Sequence, residues 1–487
     1  MHAQRITRRG YLTFVGAGAA VALLSACGGG QPVTTAASTA HTIASSSVVP
    51  VVTAASSSAS KASAATVAAS TTTAGLQAVP NKGNFTELRI WFHWGGKTLD
   101  TVQQLINTYN TTQGQKDKLY VRIETFDSGK AQEKMTAAKL GGDSPDIYST
   151  SLSPKTLVAN GFVDPLPQDE AGYVKDNYIA GSLGLVNLQG KTWGYPTEFQ
   201  PPAYLYRKSW FQQMGISQPP ATTDDEFEYA AKLTQKQGTT PTRFGFGFYS
   251  EGYPLTSHLP TLIARFGGQM FSFDGDHPTA IDVASPQAID AVGWWKKLVQ
   301  QGYTNVNVMP YVQSWKESKS ATTEIEVWFT LINIRDAGLR DIYDDLDGVP
   351  LPPAPGQKPI TFAGGWKLAP AAGSKHTDER WPFLRWMMHK PAMPFSHFIV
   401  ETVGSAPSPT DYPIPIPGWS AAMNTAYMTA AQQSQTPPTL NVQGMTEINT
   451  QLAAALKDII NGKTQLETSL KDLNSRLNTI LKRTDPA

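Results

Sequence analysis

The sequence predicts an α/β protein built from two lobes, and two patterns lead to this class. Residues 87–94 alternate as a strand and run into Gly95 and Gly96, after which apolar residues over 99–109 recur at helical spacing. A second strand over 119–126 and a second helix over 130–140 repeat this order. Such alternation is typical of a mostly parallel sheet covered by helices. The second pattern is a crossover that leads out of this first lobe.

The crossover lies within residues 190–215. Residues 192–196 have the pattern of a strand that ends at a proline, and residues 204–206 alternate like a strand before a short helix. Between these strands, Pro201 and Pro202 lack backbone donors, which argues against a helix interior or a central strand. The sequence therefore predicts a stiff joint between two lobes.

Two polar side chains in this joint are candidate ligand contacts. Glu198 and Gln200 stand beside aromatic residues. Ligand sites commonly combine aromatic walls with a few polar groups, so this segment suits the floor of a cleft. The alternative is a solvated loop.

The rest of the body continues with helices and short strands. The acidic run at 222–226 predicts the start of a helix, with Thr223 or Asp224 as its N-cap. The further predicted elements are a strand over 244–249, a helix over 285–302, a strand over 324–329 and two helices within 445–481.

The N-terminal region has the features of an export signal. Residues 7–12, TRRGYL, match a twin-arginine signal, and the apolar run 14–24 is too short for an ordinary transmembrane helix. Cys27, the only cysteine, follows this run in a lipoprotein-type cleavage box. We expect residues 1–27 to be a signal peptide whose Cys27 is lipidated, while a buried free thiol in a plain signal peptide is the alternative.

Residues 28–80 are rich in Ser, Thr, Ala and Val and contain no aromatic residue. This composition cannot bury enough apolar surface to offset the entropy of ordering, so it predicts a disordered tether. A cell-wall spacer is the alternative. The predicted location is therefore the outer face of the cytoplasmic membrane, where the lipid on Cys27 would hold the protein.

Composition and motifs exclude several classes of function. The 40 basic and 39 acidic side chains give a net charge of +1, which offers no electrostatic basis for binding nucleic acid. The acidic turns 274–276 and 344–348 lack the closing glutamate of a calcium loop, and no zinc, P-loop or nucleophile-elbow motif occurs. We therefore expect neither a cofactor nor a metal.

Four motifs resemble those of a known family, in order and spacing. They are GKTWGYP at 190–196 against the family's G-x-x-Y-G-x-P, Y-x-K-x-x-F-x-x-x-G at 206–215, G-D-x-P-D-I at 142–147 and G-G-x-x-x-A at 364–369. Trp193 stands where the family has tyrosine, and Arg207 where it usually has asparagine. Over residues 85 to 481 the chain resembles the extracellular solute-binding proteins, family 1, of bacterial ABC importers. The resemblance implies a periplasmic-binding-protein-like (type II) fold with two lobes and a hinged interlobe cleft.

The resemblance also implies lobe boundaries and a ligand site. Lobe 1 is expected to comprise 81–197 plus 347–375, and lobe 2 to comprise 198–346 plus 376–487. The candidate substrate-binding residues are His93, Trp94, Thr150, Ser151, Glu198, Gln200, Tyr249, Trp328, Gly365 and Trp366. Core packing is the alternative role for Trp94 and Trp328, and a purely structural role is the alternative for His93.

The function that this resemblance implies is that of a substrate-binding lipoprotein of an ABC importer. It would capture a mono- or oligosaccharide between its lobes, as a monomer, and deliver it to the permease subunits, since aromatic rings suit the flat faces of sugars. It would not be an enzyme. Two alternatives stay open. One is a glycoside-acting enzyme that uses Glu198 and Glu251 as its acid pair, and the other is a surface adhesin.

Overall fold

Strands and helices alternate at the start of the described chain, as the sequence predicts. The computed structural model describes residues 84–247, 252–305, 317–326, 334, 338–410 and 419–486. All of them belong to the unit Gln77–Ala487. The predicted signal peptide and tether, with Cys27, lie outside these residues. No helix within the described part of the chain is long and apolar enough to cross a membrane.

The described strands are β1 Thr86–Phe92, β2 Leu119–Thr125, β3 Ile147–Thr150, β4 Asn187–Leu188, β5 Lys191–Thr192, β6 Tyr195–Pro196, β7 Pro202–Arg207, β8 Gln235–Gln237, β9 Thr240–Arg243, β10 Phe271–Asp274, β11 His277–Ile281, β12 Thr322–Glu326, β13 Leu346–Pro350, β14 Thr361–Phe362, β15 Lys367–Pro370 and β16 Ser434–Gln435. The described α-helices are α1 Gly96–Thr111, α2 Gln113–Asp117, α3 Ala131–Gly141, α4 Pro154–Ala159, α5 Gln168–Asn177, α6 Lys208–Gln213, α7 Thr223–Leu233, α8 Gly252–Arg265, α9 Pro286–Gln300, α10 Arg340–Asp344, α11 Arg380–Met388, α12 Pro394–Phe398, α13 Ala421–Gln433, α14 Met445–Ile460 and α15 Leu466–Thr484. Short 3-10 turns at Ala180–Leu185 and Pro438–Asn441 connect some of them.

The first sheet has five strands in the order β2-β1-β3-β15-β6. β1 is parallel to β2 and β3, whereas β15 is antiparallel to both β3 and β6. Alternate residues of each strand enter separate hydrophobic clusters: Leu368 packs with Ile90 on one face, and Ala369 packs with Trp91 on the other. Both faces are thus buried, as expected for a parallel α/β lobe.

The second sheet is antiparallel, in the order β12-β7-β13. Tyr204 on β7 enters the largest hydrophobic cluster, together with residues of α8, α9, α14 and α15. Its neighbours Ala203 and Leu205 enter a separate cluster on the opposite face, which also contains Tyr427 of α13. This sheet therefore forms the centre of the second lobe, and β7 enters it directly from the crossover.

Three local details differ from the sequence prediction. The described residues of the strand predicted over 244–249 form only isolated bridges, at Phe244 and Gly247. Pro202 is the first residue of a central strand, which is possible because a strand's first residue can lack its N–H without breaking the ladder. The N-cap of α7 is Thr222, one residue before the predicted cap. Its side chain accepts from the backbone N–H of Asp225, whose carboxylate in turn accepts from the N–H of Thr222, a capping box.

The structure also places two segments differently from the predicted lobe boundaries. β13 pairs with β7 of the second sheet, although residues from 347 were assigned to lobe 1. Phe383 and Phe395, from the region assigned to lobe 2, belong to the hydrophobic cluster of the first sheet. The apolar faces of α11 and α12 thus cover the first sheet. The remaining lobe boundaries stay a prediction.

Polar contacts of Lys155 and Gln189 also join the lobes. Lys155, on α4 of the first lobe, places its Nζ 2.5 Å from Asp485 Oδ1 after α15 and donates to the carbonyl of Asn441. The backbone N–H of Gln189, in the turn between β4 and β5, donates to Asp276 Oδ2 of the second lobe. These contacts link α4 and the β4–β5 turn of the first lobe to separate parts of the second.

Candidate functional site

Four strands of the first sheet have an end on the same side of the sheet, at the edge formed by the carboxyl ends of β1 and β3. β1 and β3 finish there with Phe92 and Thr150, and β15 begins there with Lys367, which pairs with Thr150 and with Pro196 at the end of β6. Ligands of open α/β sheets bind beyond the carboxyl ends of the parallel strands. The edge thus gathers candidate residues that lie far apart in the sequence.

His93 and Trp366 form a stacked pair at this edge. Their ring centroids are 3.2 Å apart and their planes differ by 7°. The imidazole Nδ1 lies 3.3 Å from the Ser149 hydroxyl, which fixes the ring orientation. Burial lowers the pKa of His93 to about 3, so the imidazole is neutral at physiological pH. One face of the Trp366 indole is therefore occupied by the protein itself.

Trp94 packs mainly against the protein. Its ring contacts Phe92 at 5.2 Å and Phe398 at 5.1 Å between centroids, and it borders the hydrophobic cluster of the first sheet. It also meets the His93 ring at 4.2 Å. Trp94 supports the stacked pair from the side, and its predicted contact with a ligand stays a prediction.

The loop after β3 presents one accessible hydroxyl. Ser151 is exposed, whereas Thr150 is buried and its Oγ1 accepts from the N–H of Leu152. Lys367, which was not among the predicted site residues, lies beneath this loop, fully buried, and its Nζ donates to the Leu152 carbonyl at 2.6 Å. Burial lowers the pKa of this amine to about 7. Lys367 thus holds the loop that carries Ser151.

The crossover brings Glu198 and Gln200 to the same edge. The backbone N–H of Gln200 donates to the carbonyl of Gly364, and its side-chain Nε2 donates to Glu198 Oε2 at 3.0 Å. Glu198 is 1% exposed, and burial raises the pKa of its carboxyl to about 7. Gln200, which is only partly buried, is therefore the more accessible of the two polar groups.

Gly365 has a structural reason to be glycine. A Cβ on this residue would lie 2.1 Å from the carbonyl oxygen of Glu198, so the backbone segments around Gly365 and Glu198 can approach this closely only without a side chain. A Cβ on Gly364 would meet nothing within 4 Å. Of the two glycines, Gly364 borders open space and Gly365 packs against the joint.

Two of the predicted residues, Tyr249 and Trp328, lie outside the described residues. Nearby, Glu326 at the end of β12 forms a pair with His258 of α8, with 3.2 Å between Nε2 and Oε1. This pair was not predicted from the sequence. The alternation Glu324-Ile325-Glu326 was its only signal, since Ile325 enters a core cluster and the two glutamates must face the other way.

Comparison with protein families identifies the chain. The model of the bacterial extracellular solute-binding proteins matches residues 95–394. The chain belongs to this family. The resemblance drawn from the four sequence motifs is thereby confirmed.

Solved structures similar to this solute-binding protein share its two-lobe fold. The sugar-binding protein MalE from Xanthomonas citri superposes with a TM-score of 0.68 at 18% identity, covering 82% of this chain and 98% of its own. A cyclo/maltodextrin-binding protein in complex with maltotetraose gives 0.67 at 19% identity, covering 83% and 99%. The predicted two-lobe α/β fold is confirmed.

Relatives of this solute-binding protein in sequence are distant. A binding protein of Brucella abortus (strain 2308) is 22% identical over 333 residues, which cover 67% of this chain and 77% of the relative. The erythritol/L-threitol-binding protein of Mycolicibacterium smegmatis is 23% identical over 209 residues, covering 42% and 43%.

Proposed function

We propose that this protein is the substrate-binding component of an ABC importer and captures a carbohydrate, a mono- or oligosaccharide, between its two lobes. The observation that carries the proposal is the stacked His93–Trp366 pair at the edge where the crossover joins the lobes. An indole held flat by a second ring offers its other face as a rigid platform. Sugars present C–H faces that pack on such a platform.

Polar groups suited to sugar hydroxyls surround this platform. The Gln200 amide and the Ser151 hydroxyl can both donate and accept hydrogen bonds, and Gly364 leaves its surroundings open. A ligand that contacts both lobes favours their closure by its higher affinity for the closed arrangement. The residues of the crossover would absorb that rotation.

The charges of the first-lobe groups support a neutral ligand. Burial keeps His93 uncharged at pH 7, and the charges of Glu198 and Lys367 are enclosed in the protein. An amino-acid zwitterion or a phosphate would need an accessible opposite charge at this edge. A polyhydroxylated ligand needs only hydrogen-bond partners.

The remaining parts of the proposal concern delivery and location. Closure would present both lobes together to the permease subunits, and the protein would act as a monomer without a cofactor. Export through the twin-arginine signal and lipidation of Cys27 would hold it at the outer face of the cytoplasmic membrane. These steps rest on the sequence motifs at residues 7–27.

Thermal shift and calorimetry test the proposal on the full-length protein in detergent. The panel contains mono- and oligosaccharides, erythritol and threitol, and amino acids as controls. A ligand at 100 times its Kd should add about 2.7 kcal/mol to the free energy of unfolding. Trp366→Ala should abolish or strongly weaken this stabilisation, while Trp210→Phe, a substitution in the second lobe between Arg207 and Arg243, should leave it unchanged.

The alternatives predict other outcomes. Product formation from an oligosaccharide, followed by chromatography, would support a glycoside-acting enzyme. Stabilisation by amino acids and not by any sugar or polyol would contradict the carbohydrate proposal. Absence of any small-molecule stabilisation would favour a surface adhesin.

A further inference from the structure

The interior of the second lobe holds two carboxylates around one guanidinium. Arg265, the last residue of α8, places Nη2 2.5 Å from Glu226 Oε2 on α7 and Nη1 2.5 Å from Glu324 Oε1 on β12. The side chains of Arg265 and Glu226 are 0% exposed, and that of Glu324 is 8% exposed. The cluster is therefore shielded from solvent, and its charges have to be compensated within it.

The charges of this cluster do not balance if both carboxylates are ionised. One guanidinium then faces two carboxylates, and one buried negative charge lacks a counter-charge, which is strongly unfavourable. Tyr204 of β7 also interacts with both carboxylates, but burial raises its pKa well above the usual value, so it stays neutral. His258 and Glu326 form a separate pair further along α8 and β12. A proton on one of the two carboxylates removes the excess charge.

One carboxylate oxygen of the cluster has no hydrogen-bond donor. Glu226 Oε2 accepts from Arg265, whereas Oε1, which is also buried, accepts no hydrogen bond from any residue that the structure describes. The Glu324 carboxyl lies within hydrogen-bonding reach of the Glu226 carboxyl. Burial raises the pKa of Glu226 well above its usual value, with Arg265 lowering it and Glu324 raising it further. A carboxylic acid, unlike a carboxylate, can donate its O–H to a neighbouring carboxylate.

We propose that Glu226 and Glu324 share one proton, which makes their buried cluster with Arg265 electrically neutral. In a carboxyl–carboxylate pair the proton belongs to both groups. The pKa of Glu226 is higher in the folded lobe than its usual value of 4.5, which applies to the unfolded chain. The stability that this proton supplies is therefore complete below about pH 4.5 and is lost as pH rises through the folded-state value.

The cluster lies where the chain leaves the second sheet for the first. Arg265 Nε donates to the carbonyl of Pro352, and the Arg265 carbonyl accepts from the N–H of Ala354. These residues begin the segment 351–366, which connects β13 to β15. Loss of the proton at alkaline pH should thus weaken the start of this connection together with the core. The inference concerns the second lobe alone and does not depend on the ligand.

Infrared difference spectroscopy on the full-length protein at neutral pH tests the proposal. The wild type should show a carboxylic-acid carbonyl band that is lost in both Glu226→Gln and Glu324→Gln, because the remaining carboxylate then ionises beside Arg265. Subtracting each variant's spectrum from that of the wild type cancels the bands of other protonated carboxyls, such as Glu198. Glu228→Gln, at the exposed Glu228–Lys232 pair of the same helix, is the matched control and should leave the band unchanged.

Urea unfolding as a function of pH gives a second readout. Above pH 4.5 the wild type should lose stability relative to Glu226→Gln, with the ratio of their unfolding constants changing up to about tenfold per pH unit. Glu324→Gln should give the same slope, and Glu228→Gln none. Each single variant should fold, because its amide can donate to the remaining carboxylate. The double variant leaves Arg265 without a counter-charge, so its loss should exceed the sum of the single effects.

Two ordinary ion pairs, with both glutamates ionised, would give different results. Neither single variant would then remove an acid band, and each would be destabilised by an amount that does not change with pH. That outcome would overturn the proposal. Failure of both single variants to fold, while Glu228→Gln folds normally, would overturn it as well.

Discussion

Removing the Lys155 ammonium should shift the equilibrium between open and closed lobes. α4 follows the carboxyl end of β3, so Lys155 stands on the same edge as the candidate site. Its partners Asp485 and Asn441 approach from the second lobe. The pair therefore crosses the cleft on the ligand side, and we expect it to form when the lobes are closed and to separate when they open.

The structure limits the size of this effect. The Asp485 side chain is 0% exposed and also accepts from the N–H groups of Gln443 and Gly444. Although burial opposes ionisation, the hydrogen bonds from Lys155 and Gln443 hold the pKa of Asp485 below its usual value. Lys155→Met leaves these backbone donors in place, so the loss should be about 2 kcal/mol, within the range for a charged hydrogen bond. A shift of 2 kcal/mol corresponds to roughly 30-fold in an equilibrium constant.

Calorimetry and small-angle X-ray scattering together measure this prediction. Kd for the cognate ligand should rise by up to roughly 30-fold in Lys155→Met, because closure becomes less favourable. The radius of gyration at subsaturating ligand should move toward the ligand-free value. Lys463→Met, at the exposed Lys463–Asp458 pair, is the control and should change neither quantity. If Lys155→Met lowers the melting temperature but leaves Kd and scattering unchanged, the pair is purely structural and does not control closure.

Three further predictions concern stability. Gly365→Ala should destabilise the fold by about 1–3 kcal/mol through the clash with the Glu198 carbonyl, whereas Gly364→Ala should cost less than about 0.5 kcal/mol in urea unfolding. The raised folded-state pKa of Glu198 makes the free energy of unfolding of the wild type fall as pH rises from 4.5 to about 7. Glu198→Gln should therefore be more stable than the wild type by up to about 3 kcal/mol at pH 8 and equally stable at pH 4. Parallel pH profiles of the two proteins would contradict this. Thr222→Ala should lose about 1 kcal/mol with the α7 capping box, and an unchanged denaturation midpoint would refute the cap's role.

Local patterns predicted several of the longer described elements of the fold. The strands ending at Phe92 and Thr125 and the helices Pro286–Gln300 and Met445–Ile460 follow their hydrophobic periodicity closely. Hydrophobic periodicity depends only on residues that lie close together in the sequence. The start of β7 at Pro202 was not predicted, because its pairing with β12 and β13 depends on partners more than a hundred residues away.

The candidate site was predicted only in part, for a related reason. Sequence order could place His93 and Trp366 at the same edge, but not reveal that one ring covers the other. Lys367 gave no signal, since a lysine at the start of a strand is usually solvated and its burial results from the loop after Thr150. The pairing of Glu326 with His258 likewise depends on α8, which carries the histidine.

The direction in which the chain enters the first sheet has a mechanical consequence. Thr86 begins β1 at the edge opposite the candidate site, and β1 is hydrogen-bonded along its length to β2 and at its far end to β3. A pull on Thr86 along the strand axis would load these hydrogen bonds in shear, so that many would have to break at once. If the protein is anchored through its N-terminus, a pull on the tether would be borne by the first sheet, and the second lobe would remain unloaded.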